Sequence, residues 1–325
     1  MKSFLKNTLV YLLVVCLVVA AVDLLYLKRI SDQDTGTVGT ARNDSATIKN
    51  VPDQIDICNF GNSHSFYALN YEDVQDHACF SFALPDQSLR NDLQIFKSFK
   101  DHIASGAIVF ISISYTSLMG PPENDLSPMY KRYYRFLPKE NIIGYSFTTD
   151  LYTRFLPALA ADDMIALFEM LTNTNNHADI WALTTNPEAA SDHGYRRYLS
   201  HVAPSRDSSG NRRFRINERG HLLEMIDLCR DIGAIPVLFT VPFLREYTDP
   251  ILEEDPSFYD DFFAMMNEIC EEKDVTYLDY SRDDRFFDRY DLFVNTDHLN
   301  RIGAKIFTEI LLDDSIMDSS KDKNE

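Results

Sequence analysis

The stretch Gly106–Ser114, GAIVFISIS, is an unbroken run of apolar and β-branched residues with two small serines near its end. Such a run is typical of a strand that is covered on both faces, as in a parallel sheet between helices. A second run of this kind, Ala234–Val241 (AIPVLFTV), follows a segment with helical periodicity at Asn217–Ile232. A buried strand that is reached through a helix predicts parallel pairing and therefore an α/β domain.

The same alternation continues on both sides of these runs. Further strands are predicted at Gln54–Phe60, His77–Leu84 and Val275–Tyr280, and further helices at Asp86–His102, Pro256–Glu272 and Asn300–Leu312. The pattern predicts a three-layer α/β/α domain with a doubly wound parallel sheet over residues 51–312. The alternation lapses over residues 115–215, which is too long for a plain connection and is predicted to be an insertion or lid.

The two ends of the chain differ from this domain. Thr8–Leu27 is almost continuously apolar, which is long enough for a helix to cross a bilayer. We expect residues 1–30 to be an uncleaved signal anchor; a cleaved signal peptide, with Ala20-Ala21-Val22 near its cleavage site, is the alternative. Residues 31–50 then form a polar tether and residues 313–325 a disordered acidic tail. These expectations describe a single-pass membrane protein whose domain faces outside the cytoplasm.

Composition excludes several functional classes. The chain has 325 residues, of which 45% are hydrophobic and 12% aromatic, so it can bury a substantial core. Its formal net charge of -19 argues against general nucleic-acid binding, which needs a cationic surface. Five cysteines are too few for a disulfide scaffold; buried free thiols are expected, and a Cys58–Cys79 bridge stays open. The sequence contains neither zinc-ligand spacing nor a glycine-rich phosphate loop, and no metal or cofactor is predicted.

A candidate nucleophile follows the first predicted strand. The segment Ile55–Ser65 (IDICNFGNSHS) passes from an apolar run into a turn of small residues that carries Ser63. Gly61 permits backbone angles that a side chain would block. A serine at such a junction is exposed at the edge of the sheet, where a base and a substrate can reach it.

A candidate base opens the last predicted helix, in the segment Asn295–Ala304 (NTDHLNRIGA). The carboxyl ends of parallel strands meet at one edge of the sheet, and open α/β sheets bind ligands there. His298 is therefore expected near Ser63, whose hydroxyl needs a base to become a nucleophile. The alternative is that Asp297 caps the helix and His298 is a residue of its first turn.

These two motifs together resemble the SGNH (GDSL-like) hydrolase superfamily. The resemblance lies in Phe60-Gly61-Asn62-Ser63-His64-Ser65 after the first strand and Asp297-His298-Leu299-Asn300 near the end. Within the superfamily, HLNRIGAKIFTEIL and ERGHLLEMIDLCRDIGAIPVLFTVP look like membrane-anchored proteins that act in O-acylation of cell-envelope polysaccharides and teichoic acids. The resemblance covers residues 51–312 apart from the insertion, and it implies a flavodoxin-like sheet.

The resemblance also implies roles for particular residues. Ser63 would be the nucleophile, with its backbone N–H in the oxyanion hole, and His298 would be the general base. Asn295 occupies the place, three residues before the histidine, where the superfamily usually has Asp, and the carboxylate of Asp297 stands next to the histidine instead. The candidate substrate contacts follow the predicted strands: Asn62, Ser114, Tyr115, Arg245 and Tyr247, the last two in a segment that is predicted to be a loop.

The expected activity is transfer of an acyl group, with acetyl as the expected group, to a cell-envelope polysaccharide or teichoic acid, or hydrolysis of such an ester. No cofactor is implied, and a polytopic membrane acyltransferase is the implied partner. The alternative is a non-catalytic surface protein with the same scaffold. It would bind envelope glycans through Arg and Tyr clusters of the insertion, at residues 130–135, 195–198 and 212–215.

Overall fold

The computed structural model describes residues 2–36, 48, 51–121, 130–155 and 187–321. These residues fall into two compact units. One contains the N-terminal helix, Ile48 and residues 130–155, and the other contains residues 51–121 and 187–321 with the sheet.

A five-stranded parallel sheet is the centre of the larger unit. Its strands are β1 (Ile55–Phe60), β2 (Cys79–Ser81), β3 (Ile103–Ser112), β4 (Ile235–Thr240) and β5 (Thr276–Asp279). They lie in the order β2-β1-β3-β4-β5, and every neighbouring pair is parallel. The chain therefore has the predicted α/β fold class, and its strand order reverses between β1 and β3 as it does in doubly wound sheets.

Helices flank the sheet and connect its strands. In chain order the described α-helices are α1 (Lys2–Gly36), α2 (Ser63–Ala68), α3 (Leu89–Phe99), α4 (Tyr115–Leu118), α5 (Phe147–Phe155), α6 (Pro187–Arg197), α7 (Ile216–Asp231), α8 (Arg245–Glu254), α9 (Phe258–Lys273) and α10 (Arg301–Lys321). The segment Tyr198–Val202, directly after α6, is a π-helical turn. A small antiparallel hairpin, β6 (Phe293–Asn295) and β7 (His298–Leu299), precedes α10.

Helix α3 illustrates why these residues fold as they do. Ser88 caps the helix by accepting a hydrogen bond from the Asn91 N–H at 3.3 Å. Leu89, Leu93 and Phe96 recur at helical spacing and are buried. This apolar face packs onto the sheet core, and α3 also lies against α7.

Helix α1 is the N-terminal element of its compact unit. Its segment Phe4–Leu25 is 22 residues long with a mean hydropathy of 2.7, so it is long and apolar enough to cross a membrane. Most of its apolar side chains are exposed. Of the predicted tether, residues 31–36 continue the helix, Ile48 is buried, and the remainder lies outside the described residues.

The predicted insertion is not one block. Residues 130–155 belong to the compact unit of α1, whereas residues 115–121 and 187–215 belong to the unit that contains the sheet. Residues 122–129 and 156–186 lie outside the described part of the chain.

The expectation of a disordered tail from residue 313 is wrong over residues 313–321, because α10 continues to Lys321. Polar residues take part in this extension. The Tyr280 hydroxyl donates a hydrogen bond to Asp314 Oδ2 at 2.9 Å, and Ser315 is buried. The segment has few apolar residues, so these contacts could not be predicted from its sequence.

All five cysteines are free thiols. Cys58 on β1 is buried, and its register partner on β2 is Phe80, whereas Cys79 lies opposite Ile57. The two side chains therefore belong to different register positions, and the structure contains no Cys58–Cys79 bridge.

Candidate active site

The turn after β1 lies where the strand order of the sheet reverses, and it places Ser63 at the first position of α2. Gly61 precedes it with a φ of +136°, a conformation that L side chains rarely adopt. A Cβ at Gly61 would lie 2.8 Å from Ser112 Cβ and 2.9 Å from Ser65 Cβ. Glycine is therefore required here for both backbone angle and space.

The buried side chains of Asp92 and Gln87 hold this turn through hydrogen bonds. The Asp92 carboxylate accepts a hydrogen bond from the Gly61 N–H at 3.0 Å, and Gln87 donates to the same oxygen at 2.6 Å. Gln87 also donates to the Gly61 carbonyl at 3.3 Å. Both polar groups of Gly61 are thus fixed by residues from α3 and the loop before it.

Asn62 is the cap of α2. Its Oδ1 accepts a hydrogen bond from the His64 N–H at 3.0 Å, and its Nδ2 donates to Ser114 Oγ at 2.9 Å. Ser114 in turn contacts the hydroxyls of Thr116 and Ser117 at 3.0 and 2.9 Å. The turn after β1 and the end of β3 are therefore joined by hydrogen bonds beside Ser63.

The β6–β7 hairpin contains His298, the candidate base. Asn295 and His298 are directly opposite each other in the hairpin, and Thr296 and Asp297 form its tight turn. Residues opposite each other in a hairpin have neighbouring side chains. The three-residue spacing thus brings the Asn295 amide to the His298 ring, whereas the Asp297 carboxylate lies to the side of it.

Ser63, His298 and Asn295 form one hydrogen-bonded line. Ser63 Oγ lies 3.0 Å from His298 Nε2, and His298 Nδ1 lies 3.1 Å from Asn295 Oδ1. The Asp297 N–H donates to the same Oδ1 at 3.1 Å, and Asn295 Nδ2 also lies 3.0 Å from His298 Nδ1. When Nδ1 carries the ring proton and donates it to Asn295 Oδ1, Nε2 is free to accept the Ser63 proton.

The Asp297 carboxylate is fully buried among basic groups. Its Oδ2 lies 3.1 Å from His64 Nε2 and 3.9 Å from His201 Nδ1, and its Oδ1 accepts a hydrogen bond from Arg197 Nε at 3.1 Å. The distance from Oδ1 to His298 Nδ1 is 3.7 Å, which is too long for a hydrogen bond but close for two charges. Asp297 therefore faces His298 as a nearby charge, whereas Asn295 is within hydrogen-bond distance of its ring.

These surroundings keep His298 in the form that accepts a proton. Burial lowers the pKa of His298 well below its usual range, and His64 and Arg197 lower it further, against the opposing effect of Asp297. Burial by itself would raise the pKa of the Asp297 carboxyl. The neighbouring His298, the hydrogen bond from His64 and the charge of Arg197 outweigh burial, and the pKa of Asp297 lies well below its ordinary value. At neutral pH the site contains a neutral base beside an ionised carboxylate.

One group of side chains has the chemistry of a metal site. The ligand atoms of His64, His201 and Asp297 lie within 4.8 Å of one another. The guanidinium of Arg197 is already bonded to this carboxylate, and it lies 3.4 Å from His201 Nε2. Its positive charge disfavours a further cation at the same place.

The other sequence-predicted site residues are dispersed. Tyr115 is buried and its ring stacks on Tyr247 at 6.1 Å, inside an aromatic cluster of the core. Arg245 pairs with Asp288 at 2.9 Å and is the first residue of α8, where the sequence predicts a loop. Tyr247 is fully buried; its hydroxyl lies 3.3 Å from His201 Nδ1, and its ring lies 6.4 Å from that of His64. These placements differ from the expected substrate contacts.

Several residues of the site were not found from the sequence. They are Tyr67, whose ring lies 4.8 Å from that of His298, the turn-holding pair Gln87 and Asp92, and the helix residues His193, Arg197 and His201. The sequence places His64 only within the motif that carries Ser63. The last three are spaced four residues apart, which is a helical signal within the predicted insertion.

No model of a known protein family matches the chain, and no curated protein matches it. Its function is therefore inferred from the residues and geometry of this site.

Proposed function

We propose that the protein is a membrane-anchored serine acyltransferase or esterase of the SGNH type. Ser63 takes an acyl group, in the simplest case acetyl, and passes it to a hydroxyl of a cell-envelope polysaccharide or teichoic acid, or to water. The observation that carries the proposal is the line of hydrogen bonds from Ser63 through both ring nitrogens of His298 to Asn295. This is the arrangement that a serine needs to become a nucleophile.

The first half-reaction forms the acyl-enzyme. Ser63 Oγ attacks the carbonyl carbon of the acyl donor while its proton moves to His298 Nε2. The tetrahedral intermediate then collapses, the bond to the leaving group breaks, and the leaving group takes the proton from Nε2. The products are an ester on Ser63 and the free alcohol or thiol of the donor.

The second half-reaction returns the enzyme to its starting state. A hydroxyl of the acceptor gives its proton to His298 Nε2 and attacks the ester carbonyl. Ser63 Oγ leaves and recovers the proton. A polysaccharide hydroxyl gives transfer and water gives hydrolysis, so the outcome depends on which acceptor reaches the ester.

The imidazolium that forms in each half-reaction has two supports. Asn295 Oδ1 accepts the Nδ1 proton, and Asp297 places a negative charge 3.7 Å from Nδ1. In the usual triad one carboxylate performs both tasks. The substitution of Asn for Asp at position 295 therefore leaves the charge in place, at a longer distance.

Few hydrogen-bond donors are recognisable for the oxyanion of the tetrahedral intermediate. The first N–H groups of a helix have no acceptor within the helix, so the Ser63 N–H at the start of α2 is suited to this role. The Asn62 amide, in contrast, is bonded to Ser114. Each missing donor costs a rate factor of about 10²–10³, which favours a slow enzyme or one that depends on its own acceptor.

Helix α1 supports the membrane location in this proposal, because it is long and apolar enough to cross a bilayer. A domain tethered at a membrane outside the cytoplasm would meet envelope polymers there. A polytopic membrane acyltransferase that delivers the acyl group is the partner that the resemblance implies. The glycan-binding alternative is less well supported, because Arg197 and Arg212 bind buried carboxylates and Tyr198 is buried.

The test uses the purified full-length protein in detergent with p-nitrophenyl acetate as donor. We expect a burst of p-nitrophenol followed by slow turnover, and loss of the burst in Ser63→Ala and His298→Ala. The matched controls Ser209→Ala and His77→Ala change exposed residues and should keep the burst. Equal release by all five proteins would refute the proposal.

A second arm separates transfer from hydrolysis. The acyl-enzyme is formed with labelled acetyl groups and then mixed with a soluble fragment of an envelope polysaccharide. Label on the fragment indicates transfer, and label in free acetate indicates hydrolysis. A burst in the absence of both products would leave Ser63 acylated without turnover and would contradict the second half-reaction.

A further inference from the structure

Three side chains on one helical face meet the β6–β7 hairpin. His193 and Arg197 lie on α6, and His201 lies on the π-helical turn that continues it, at intervals of four residues. His193 Nδ1 is 2.8 Å from Thr296 Oγ1, and Arg197 Nε is 3.1 Å from Asp297 Oδ1. The face therefore contacts the turn that separates Asn295 from His298.

The helix is held firmly in this position. A Cβ on Gly194 would overlap the backbone carbonyl oxygen of Glu246, so α6 lies in direct backbone contact with α8. The Leu244 N–H, just before α8, donates to the Thr296 carbonyl at 3.0 Å. Helix α6, the start of α8 and the hairpin thus form one connected group around Asp297.

Arg197 differs from the other groups around the base, because it alone among them is permanently charged and positive. The titratable or charged groups that face Asp297 and His298 come from each neighbouring element: His64 and Tyr67 from α2, His193 and Arg197 from α6, His201 from the π-helical turn, and Tyr247 from α8. Without Arg197, the buried negative charge of Asp297 would be balanced only by placing a proton on an imidazole.

We propose that Arg197 is a positioning residue: it holds Asp297 through Oδ1 and balances its charge, so that His298 remains unprotonated and able to take the Ser63 proton. The inference rests on the proposed function, because it concerns the base of that reaction. Arg197 supplies the positive charge that balances Asp297, although it is not part of the hydrogen-bonded line of Ser63, His298 and Asn295.

Removal of Arg197 should raise the pKa of His298. Removing Arg197 leaves Asp297 uncompensated beside His298, which favours the imidazolium. An uncompensated opposite charge within about 4–6 Å raises the pKa of a histidine by about 1 unit or more. The acid limb of acylation should then move to higher pH by the same amount.

The experiment compares Arg197→Gln with Arg196→Gln in the full-length protein in detergent. Arg196 precedes Arg197 in α6, but it is exposed and pairs with Asp192 at 2.9 Å, so both variants remove one positive charge from the same helix. Two quantities are measured: the pH dependence of acylation by p-nitrophenyl acetate, and the ¹⁵N titration of the His298 imidazole by NMR, assigned with a His298→Gln variant.

We expect Arg197→Gln to move both curves to higher pH by about 1 unit, with Arg196→Gln unchanged. An equal response in the two variants would overturn the inference. If Arg197→Gln does not fold, Arg197→Lys decides: it retains the charge, so its curves should match wild type, and a shift as large as that expected for the Gln variant would overturn the charge role. The NMR titration needs no turnover, so a protein without acylation but with the expected His298 shift would refute the proposed function and not this inference.

Discussion

Replacing Asp297 by Asn removes the charge at the base and nearly preserves its shape. Asp297 Oδ1 lies 3.7 Å from His298 Nδ1. At that separation and an effective dielectric constant of about 20, the charge stabilises the imidazolium by about 4 kcal/mol. This corresponds to a factor of about 10³ in rate. Because Arg197 offsets part of the charge, we expect Asp297→Asn to slow acylation by about 10²–10³.

The variant also changes stability, which has to be separated from the rate. It leaves Arg197 without its carboxylate, and loss of one partner of a buried pair costs about 3–5 kcal/mol. Arg197 is partly exposed, so the lower end of that range is expected, and the melting temperature should fall. Acylation is therefore measured in a single turnover by stopped flow, below the unfolding transition, and normalised to the folded fraction.

Asn295→Ala provides the comparison, because it removes the orienting amide but leaves the charge. We expect its imidazole ¹⁵N spectrum to show both neutral tautomers of His298, whereas Asp297→Asn should keep the Nδ1-protonated form that Asn295 Oδ1 stabilises. The reasoning is refuted if Asp297→Asn acylates within a factor of about three of wild type, a difference of about 0.7 kcal/mol.

Three further predictions concern the turn and the buried histidines. Gly61→Ala should destabilise the fold by more than about 1–3 kcal/mol, from the strained φ and the 2.8 Å approach to Ser112 Cβ; an unchanged melting temperature would contradict this. Asp92→Ala leaves the buried Gly61 N–H without its acceptor and should cost about 1–3 kcal/mol in denaturant unfolding, whereas full stability would show that the bond is dispensable. Burial lowers the pKa of both His201 and His298 below the usual value of 6.5, and that of His201 falls to about 4. The unfolded chain then binds more protons, so stability should decline as pH falls from 6.5 to about 4, and less steeply in His201→Gln; equal slopes would contradict it.

The sheet was largely predictable because burial leaves a direct mark on sequence. The run Gly106–Ser114 is apolar because β3 is covered on both faces, and β4 repeats the pattern. The sequence was less informative where an element is held in place by contacts with its neighbours and has no clear hydrophobic pattern of its own. Helix α8 contains Pro250 and several acidic residues, and its first residues, Arg245–Tyr247, lie in a segment that was predicted to be a loop. The helix packs against α6, and the Leu244 N–H just before it bonds to the hairpin at Thr296.

The site was predictable only in part. Ser63 and His298 were paired because the first follows a strand and the second precedes the last predicted helix, both at the carboxyl edge of a parallel sheet, and their side chains lie 3.0 Å apart. The separate tasks that we propose for Asn295 and Asp297 depend on the hairpin, in which Asn295 lies opposite His298 and Asp297 lies in the turn between them. Arg197 was visible only as one of several basic residues, because its carboxylate is remote in sequence and local patterns do not specify long-range partners.

The central claim is that Ser63 carries an acyl group that His298 helps to place there. The most direct measurement is intact-mass spectrometry of the full-length protein after rapid quenching of its reaction with p-nitrophenyl acetate, followed by peptide mapping. The account predicts the added mass of one acetyl group, located on the peptide that contains Ser63 and absent from His298→Ala at the same reaction time. An adduct on another residue, or equal acetylation of wild type and Ser63→Ala, would contradict it.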